Sequence, residues 1–127
     1  NSGGIEIRNK YSKICLGKKD VTLIKNELNV LNEIIVFEGF FDYLTYRNLE
    51  NKKKSASDYL ILNSTAMLFK VDETLREYDK ITLFLDNDDN GNATTEIIQK
   101  KYKNVEDCSL LYADFKDLNE YYSLNKF

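Results

Sequence analysis

Three carboxylates fall within four positions, at Asp86, Asp88 and Asp89, in the stretch KITLFLDNDDNG from Lys80 to Gly91. Carboxylates this crowded repel one another: at about 4 Å and an effective dielectric near 20, one pair costs roughly 4 kcal/mol. Such a group survives by holding a proton or by taking a cation, and a divalent cation is the expectation here. A second acidic pair, Glu38 and Asp42, brackets Gly39 after another apolar run. Gly39 allows a tight turn and a close approach of backbone to a ligand. Oxygen ligands without histidine suit Mg2+, which takes a few carboxylates, substrate phosphates and several waters. The chemistry such a site supports is phosphoryl transfer, which needs positioning and charge neutralisation more than covalent help from the protein.

The rest of the composition narrows the field. The net charge is −3, too acidic for a domain that holds nucleic acid through a basic surface alone. Cys15 and Cys108 lie far apart and the chain has no histidine, so a zinc site of the usual Cys/His kind is excluded. Both are expected to be buried, reduced thiols in a cytoplasmic protein. No apolar run approaches the roughly 20 residues that span a bilayer. Asn1-Ser2-Gly3-Gly4 leads straight into a strand-like pattern, with no signal peptide, as expected of a piece of a longer protein.

These acids must be held by a scaffold, and its outline is legible. Ile5 to Arg8, Tyr11 to Cys15 and Val21 to Ile24 read as a small antiparallel addition. A polar connector follows, and residues 1–32 are set apart from a main domain over 33–127. Ile34 to Phe37, Tyr59 to Leu62 and Ile81 to Leu85 are short continuous apolar runs, the mark of interior parallel strands. Helical spacing joins Phe41, Leu44, Thr45 and Leu49, and Thr65 to Tyr78 reads as one helix with Met67, Leu68, Val71 and Leu75 on a face. Asn92 to Tyr102 is expected as a helix with Ile97 and Ile98 inward, Val105 to Tyr112 as a fourth strand, and Asp117 to Leu124 as a last helix. Alternating strands and helices argue for an α/β domain with a parallel sheet, whose strand ends share one edge. Ligands bind outside that edge where the strand order reverses. Glu38-Gly39, Asn63-Ser64, Asp86-Asn87-Asp88 and Asp114 stand at the four expected strand ends.

Two other motifs overlap the acidic stretch. Asp86, Asp88, Asn90 and Gly91 match the first half of an EF-hand loop, but its twelfth position, which must be Glu, is Ile97. A haloacid-dehalogenase-like phosphatase also ends a strand in Asp-x-Asp and would make Asp86 a nucleophile. That motif normally opens the first strand of its domain, whereas here it closes the third.

Phe37-Glu38-Gly39-Phe40-Phe41-Asp42, then Asn63-Ser64, then Leu85-Asp86-Asn87-Asp88-Asp89-Asn90-Gly91 resemble the TOPRIM domain of bacterial-type primases, type IA and type II topoisomerases, OLD-type nucleases and recombination mediators. The resemblance runs from about Glu33 to Leu124, and DFKDLNEY from Asp114 is similar to the Lys-Asp-x-x-Glu stretch of primase-type members. The lead-in GGIEIRN and the wording FEGFFDYLTY are most similar to primase-like proteins of bacterial mobile elements. The resemblance implies a Rossmann-like fold, with a mostly parallel sheet flanked by helices. It implies Glu38 as general acid/base or metal ligand, and Asp86 and Asp88 as ligands of Mg2+ or Mn2+. Gly39, Asp42, Asn63, Ser64, Asp89, Gly91 and Asp117 would support them, with Asp117 chiefly a helix cap. Lys52, Lys53 and Lys54 would touch a nucleic-acid backbone.

The function implied is nucleotidyl transfer in primer synthesis, with DNA template, nucleoside triphosphates and a replicative helicase as partners of the full protein. A nuclease or a non-catalytic DNA-binding module are the alternatives. For Glu38 and Asp86 to share a site, the first and third core strands must be neighbours.

Overall fold

The computed structural model describes residues 11–15, 21–49 and 56–125. The expected strand Ile5 to Arg8 and the Lys52 to Lys54 run lie outside the described residues. Among the described residues, six strands form one sheet: β1 (Tyr11–Cys15), β2 (Thr22–Asn26), β3 (Glu33–Phe37), β4 (Asp58–Ile61), β5 (Lys80–Phe84) and β6 (Val105–Asp107). Their spatial order is β1-β2-β4-β3-β5-β6. β4, β3, β5 and β6 run parallel, and β1 and β2 add antiparallel beside β4. The helices are α1 (Phe40–Leu49), α2 (Asp72–Arg76), α3 (Asp89–Lys101) and α4 (Leu118–Asn125), with 3-10 turns at Thr65–Val71 and Ser109–Tyr112. This is the expected mostly parallel α/β sheet flanked by helices.

The central strands β3, β4 and β5 are largely apolar because both sheet faces are covered there. Ile34 and Val36 join Leu60, Leu83 and Leu85 on one face, under Val71, Leu75 and Ile98 from the α2–α3 side. Ile35 and Phe37 project to the other face, where they meet Tyr43, Tyr59, Phe84, Tyr112 and Leu118. Rings dominate that second layer. Phe37 stacks on Phe84 at 5.5 Å and meets Tyr43 edge-on at 5.8 Å. Side chains this deeply buried stabilise the fold by roughly 1.5–3 kcal/mol each.

From β3 the chain crosses to β4 on one side, then over β3 to β5 on the other. The order therefore reverses between β3 and β5, which are direct neighbours with Phe37 opposite Phe84. That is the crevice in which open α/β sheets bind ligands, and the required adjacency of the two strands is met.

Several elements differ from their expected form. Thr65 to Tyr78 is a 3-10 turn and a short helix rather than one helix. Positions 67, 68 and 71 fall on one side of the 3-10 turn as they would on a helix, so the apolar pattern does not separate the two over so short a span. The fourth strand ends at Asp107, because both carboxylate oxygens of Asp107 accept bonds from Ser109, its N–H at 2.9 Å and its hydroxyl at 3.1 Å. This turns the chain off the sheet, leaving Leu110 82% exposed and Asp114 exposed in a later turn rather than at a strand end. In α3, Ile98 is buried and Ile97 is 52% exposed. In α1 the buried residues are Asp42, Tyr43 and Thr45, whereas Phe41, Leu44 and Leu49 are exposed. The ring cluster takes Tyr43, and that choice rotates the Phe41 side of the helix outward. Cys108 is half-buried, and burial pushes its thiol up to about 11.

Candidate functional site

Glu38 follows β3, and Asp86 follows β5 by two residues. Their contact is direct: the Asp86 N–H donates to Glu38 Oε1 at 3.1 Å. The Glu38 carbonyl accepts the Asn63 N–H at 2.8 Å, so the strand end after β4 closes the same edge. Asn63 adopts a left-handed φ of 66°, a conformation asparagine tolerates better than most residues. Ser64 caps the following 3-10 turn through the Ala66 N–H. Asn63 therefore shapes the rim through its backbone, and Ser64 through its hydroxyl cap.

Asp42 enters from the first turn of α1 and is only 4% exposed. Its Oδ1 accepts the Asn119 N–H at 3.0 Å, tying α1 to α4. Asp117 precedes α4 and caps it, accepting the Glu120 N–H at 2.8 Å, while Glu120 Oε1 accepts the Lys116 N–H at 2.7 Å. This reciprocal pair resembles a capping box and gives the Lys-Asp-x-x-Glu spacing a structural reason. Asp88 caps α3, with Oδ1 accepting the Gly91 N–H at 2.7 Å. Asp89 is exposed in the first turn of that helix. Asn90-Gly91, which reads as a turn in sequence, is also helical. Glycine is required there for another reason: a Cβ at Gly91 would lie 2.0 Å from the Asp86 carbonyl oxygen.

Among the described residues, Asp42, Asp86 and Asp117 each bring a carboxylate oxygen within 4.8 Å of the other two. Glu38 stands beside them through the Asp86 amide, and Asp88 adds its charge to both. Of the three residues named from sequence as ligands, Asp86 is central, Glu38 is adjacent, and Asp88 spends one oxygen on its cap.

The electrostatics follow from that crowding. Burial, then Glu38, Asp42, Asp117 and Asp88, raise the Asp86 carboxyl to about 7. Burial raises Asp42 to about 6, against the Asn119 and Gly39 amides that hold it down. Glu38 is raised by burial, with the Asp86 amide and Lys116 opposing. Asp86 Oδ1 is buried without a hydrogen-bond partner. A buried acceptor left without a donor costs about 1–3 kcal/mol. A divalent cation would satisfy that oxygen and neutralise its neighbours, and the all-oxygen donor set suits Mg2+ or Mn2+.

Two residues of the site had no assigned role in the sequence. Lys116 is the cation facing Glu38, and its charge could be read only once the turn before α4 was placed. Asn87, between the two aspartates, donates from Nδ2 to the carbonyls of Tyr112 at 2.8 Å and Phe115 at 2.9 Å.

An α/β domain with acids converging where the strand order reverses defines the class. The model of the Toprim-like family matches residues 35–122, and the chain belongs to that family. Two solved structures share the fold. One is the primase fragment of the bacteriophage T7 primase-helicase protein, with a TM-score of 0.60 and 20% identity over 87% of this chain and 54% of that one. The other is a structure of the T7 lagging-strand DNA polymerase interacting with primase domains of two gp4 subunits bound to an RNA/DNA hybrid and dTTP. It gives a TM-score of 0.61 and 25% identity over 87% of this chain and 56% of that one. The chain spans little more than half the length of either. No curated protein matches it. Among the described residues, no helix is long and apolar enough to cross a membrane.

Proposed function

We propose that this chain contains the catalytic TOPRIM domain of a DNA primase-like protein, joining nucleotides in a Mg2+-dependent reaction that builds primers on a DNA template. Residues 33–127 would form the catalytic unit and 1–32 its β addition. The observation that carries the reading is the partnerless, buried Asp86 Oδ1 where three carboxylates converge.

Asp42, Asp86 and Asp117 would hold the cation, with Glu38 and Asp88 completing the negative field. When bound, Mg2+ would supply charge neutralisation for the phosphates of an incoming nucleotide. The chain's own groups do the rest. Glu38 has one oxygen committed to the Asp86 amide, so a proton exchanged with a bound 3′-hydroxyl would sit on Oε2. Its raised affinity for protons suits that exchange. Lys116 would meet a triphosphate at the mouth, and Lys52, Lys53 and Lys54 would follow the nucleic-acid backbone. The natural setting would be a bacterial cytoplasm or a mobile element within it, and a replicative helicase would be a partner.

The test is primer synthesis on single-stranded DNA by the protein carrying this domain, with Mg2+ and nucleoside triphosphates. Activity is expected, with a loss of at least about a hundredfold in Glu38→Gln and in Asp86→Asn, the scale of lost electrostatic stabilisation at a reacting centre. Cleavage without extension would reassign the site to a nuclease. Full activity in both variants would refute the reading.

A further inference from the structure

We propose that Asn87 is a positioning residue, whose side chain holds the segment after β6 against the end of β5 and so keeps Asp117 at the acid cluster. The inference rests on the cation reading above and extends it to a residue that touches neither cation nor substrate.

Between β6 and α4 the chain is a 3-10 turn followed by irregular backbone. This stretch must carry Lys116 and Asp117 to the site, yet Asp117 is repelled there by Asp42 and Asp86. Its Oδ1 bond to the Glu120 N–H fixes it to its own helix only. The stretch starts on the sheet, with the Cys108 N–H on the Leu83 carbonyl and the Tyr112 ring against Phe84, and its further hydrogen bonds to the end of β5 run through Leu85 and Asn87. The buried Tyr112 hydroxyl donates to the Leu85 carbonyl at 2.7 Å. Asn87 donates its backbone N–H to the Lys116 carbonyl at 2.5 Å. Its Nδ2 donates to the carbonyls of Tyr112 and Phe115, with a longer contact of 3.4 Å to that of Ser109.

The chemistry selects the residue type. An amide nitrogen carries two hydrogens, enough for two well-placed carbonyls. Aspartate in the same place would set a carboxylate against those carbonyls, and alanine or glycine would take this donor from the Phe115 carbonyl and leave the Tyr112 carbonyl with the Phe115 N–H alone. The three residues at the end of β5 thus divide the work. Asp86 faces the cluster, Asp88 caps α3, and Asn87 reaches across to the far wall.

Calorimetric titration with Mn2+ of the 127-residue chain, Asn87→Ala, Asp117→Asn and the double variant tests this. Asn87→Ala is expected to weaken Mn2+ binding about tenfold, the lower end of what outer-shell partners of metal ligands contribute. In the Asp117→Asn background the same change is expected to weaken it less than about twofold, since the residue it acts through is gone. Amide hydrogen exchange is expected to accelerate at Phe115 to Asp117 in Asn87→Ala, with β3 and β5 still protected. Unchanged Mn2+ affinity, a full tenfold loss persisting beside Asp117→Asn, or uniformly faster exchange would each overturn the proposal and leave Asn87 a purely structural residue. If Asn87→Ala does not fold, Asn87→Ser, which keeps one donor, is expected to weaken binding in the same Asp117-dependent way, and an Asp117-independent loss overturns the proposal. A parent chain that takes up no Mn2+ overturns the cation reading first and this inference with it. Normal binding with additive variants overturns this inference alone.

Discussion

Replacing Asp86 with asparagine should stabilise the metal-free protein, an unusual outcome for a residue at the centre of a proposed site. The folded-state carboxyl is raised from 3.8 to about 7. A carboxyl that binds its proton more tightly when folded lowers stability as pH rises, because the folded state then carries the extra proton. The penalty is small near pH 4, grows up to about pH 7 and is level above it. Three pKa units correspond to a ceiling of about 4 kcal/mol. The site is partly open to solvent, and screening reduces this to about 2 kcal/mol. Asparagine removes the charge and keeps the shape. In chelator at pH 8, Asp86→Asn is therefore expected to melt higher than the parent by roughly 7 °C, with the gap narrowing steadily toward pH 4. Added Mg2+ should raise the parent's melting temperature and leave the variant's unmoved. Melting followed by circular dichroism reads all of these. A variant that melts below the parent in chelator at pH 8 would refute the reasoning, since the carboxylate would then be stabilising without a cation.

Other positions give independent outcomes. Gly91→Ala drives a Cβ into the Asp86 carbonyl, 2.0 Å from its oxygen and 2.8 Å from its carbon. A loss of at least about 3 kcal/mol is expected in urea denaturation, as for backbone strain that nothing nearby can relieve. Asp88→Ser keeps a cap for α3 and removes a charge. Stability should stay within about 0.5 kcal/mol of the parent, while Mg2+ affinity measured by calorimetry should fall. Tyr112→Phe leaves the Leu85 carbonyl without its buried partner, and chemical denaturation should show a loss of about 1–2 kcal/mol.

The parts of this site that lie at strand ends were legible in sequence. Continuous apolar runs before Glu38 and Asp86 announce buried parallel strands, and parallel strands end at one edge whatever their order. Adjacency of β3 and β5 was a requirement the residues imposed on the fold rather than a pattern read from them. Asp42 could be placed because it lies one helical turn beyond Glu38. Asp117 is different: its position depends on a stretch with no periodicity, held by carbonyl bonds to Asn87 that no spacing rule encodes. The same stretch explains the overlong fourth strand. Leu110 and Leu111 continue an apolar run, but the bonds from Asp107 to Ser109 turn the backbone away from the ladder first. In α1, of the helical stripe Phe41, Leu44, Thr45 and Leu49 only Thr45 is buried, because Tyr43 fits the aromatic layer around Phe37 and Tyr59. Ring packing on a sheet face outweighed the simpler apolar count.

That a divalent ion seats among Asp42, Asp86 and Asp117, with Glu38 alongside, can be read site by site from paramagnetic broadening of amide signals as Mn2+ is added in small steps. Signals of Gly39, Asp86, Lys116 and Asp117 should disappear first, those of Asn32 and Asp79 at the opposite sheet edge should persist, and Asp86→Asn should remove the effect. Broadening that begins elsewhere, or that is the same with asparagine at position 86, would contradict the assignment of this cluster as a cation site.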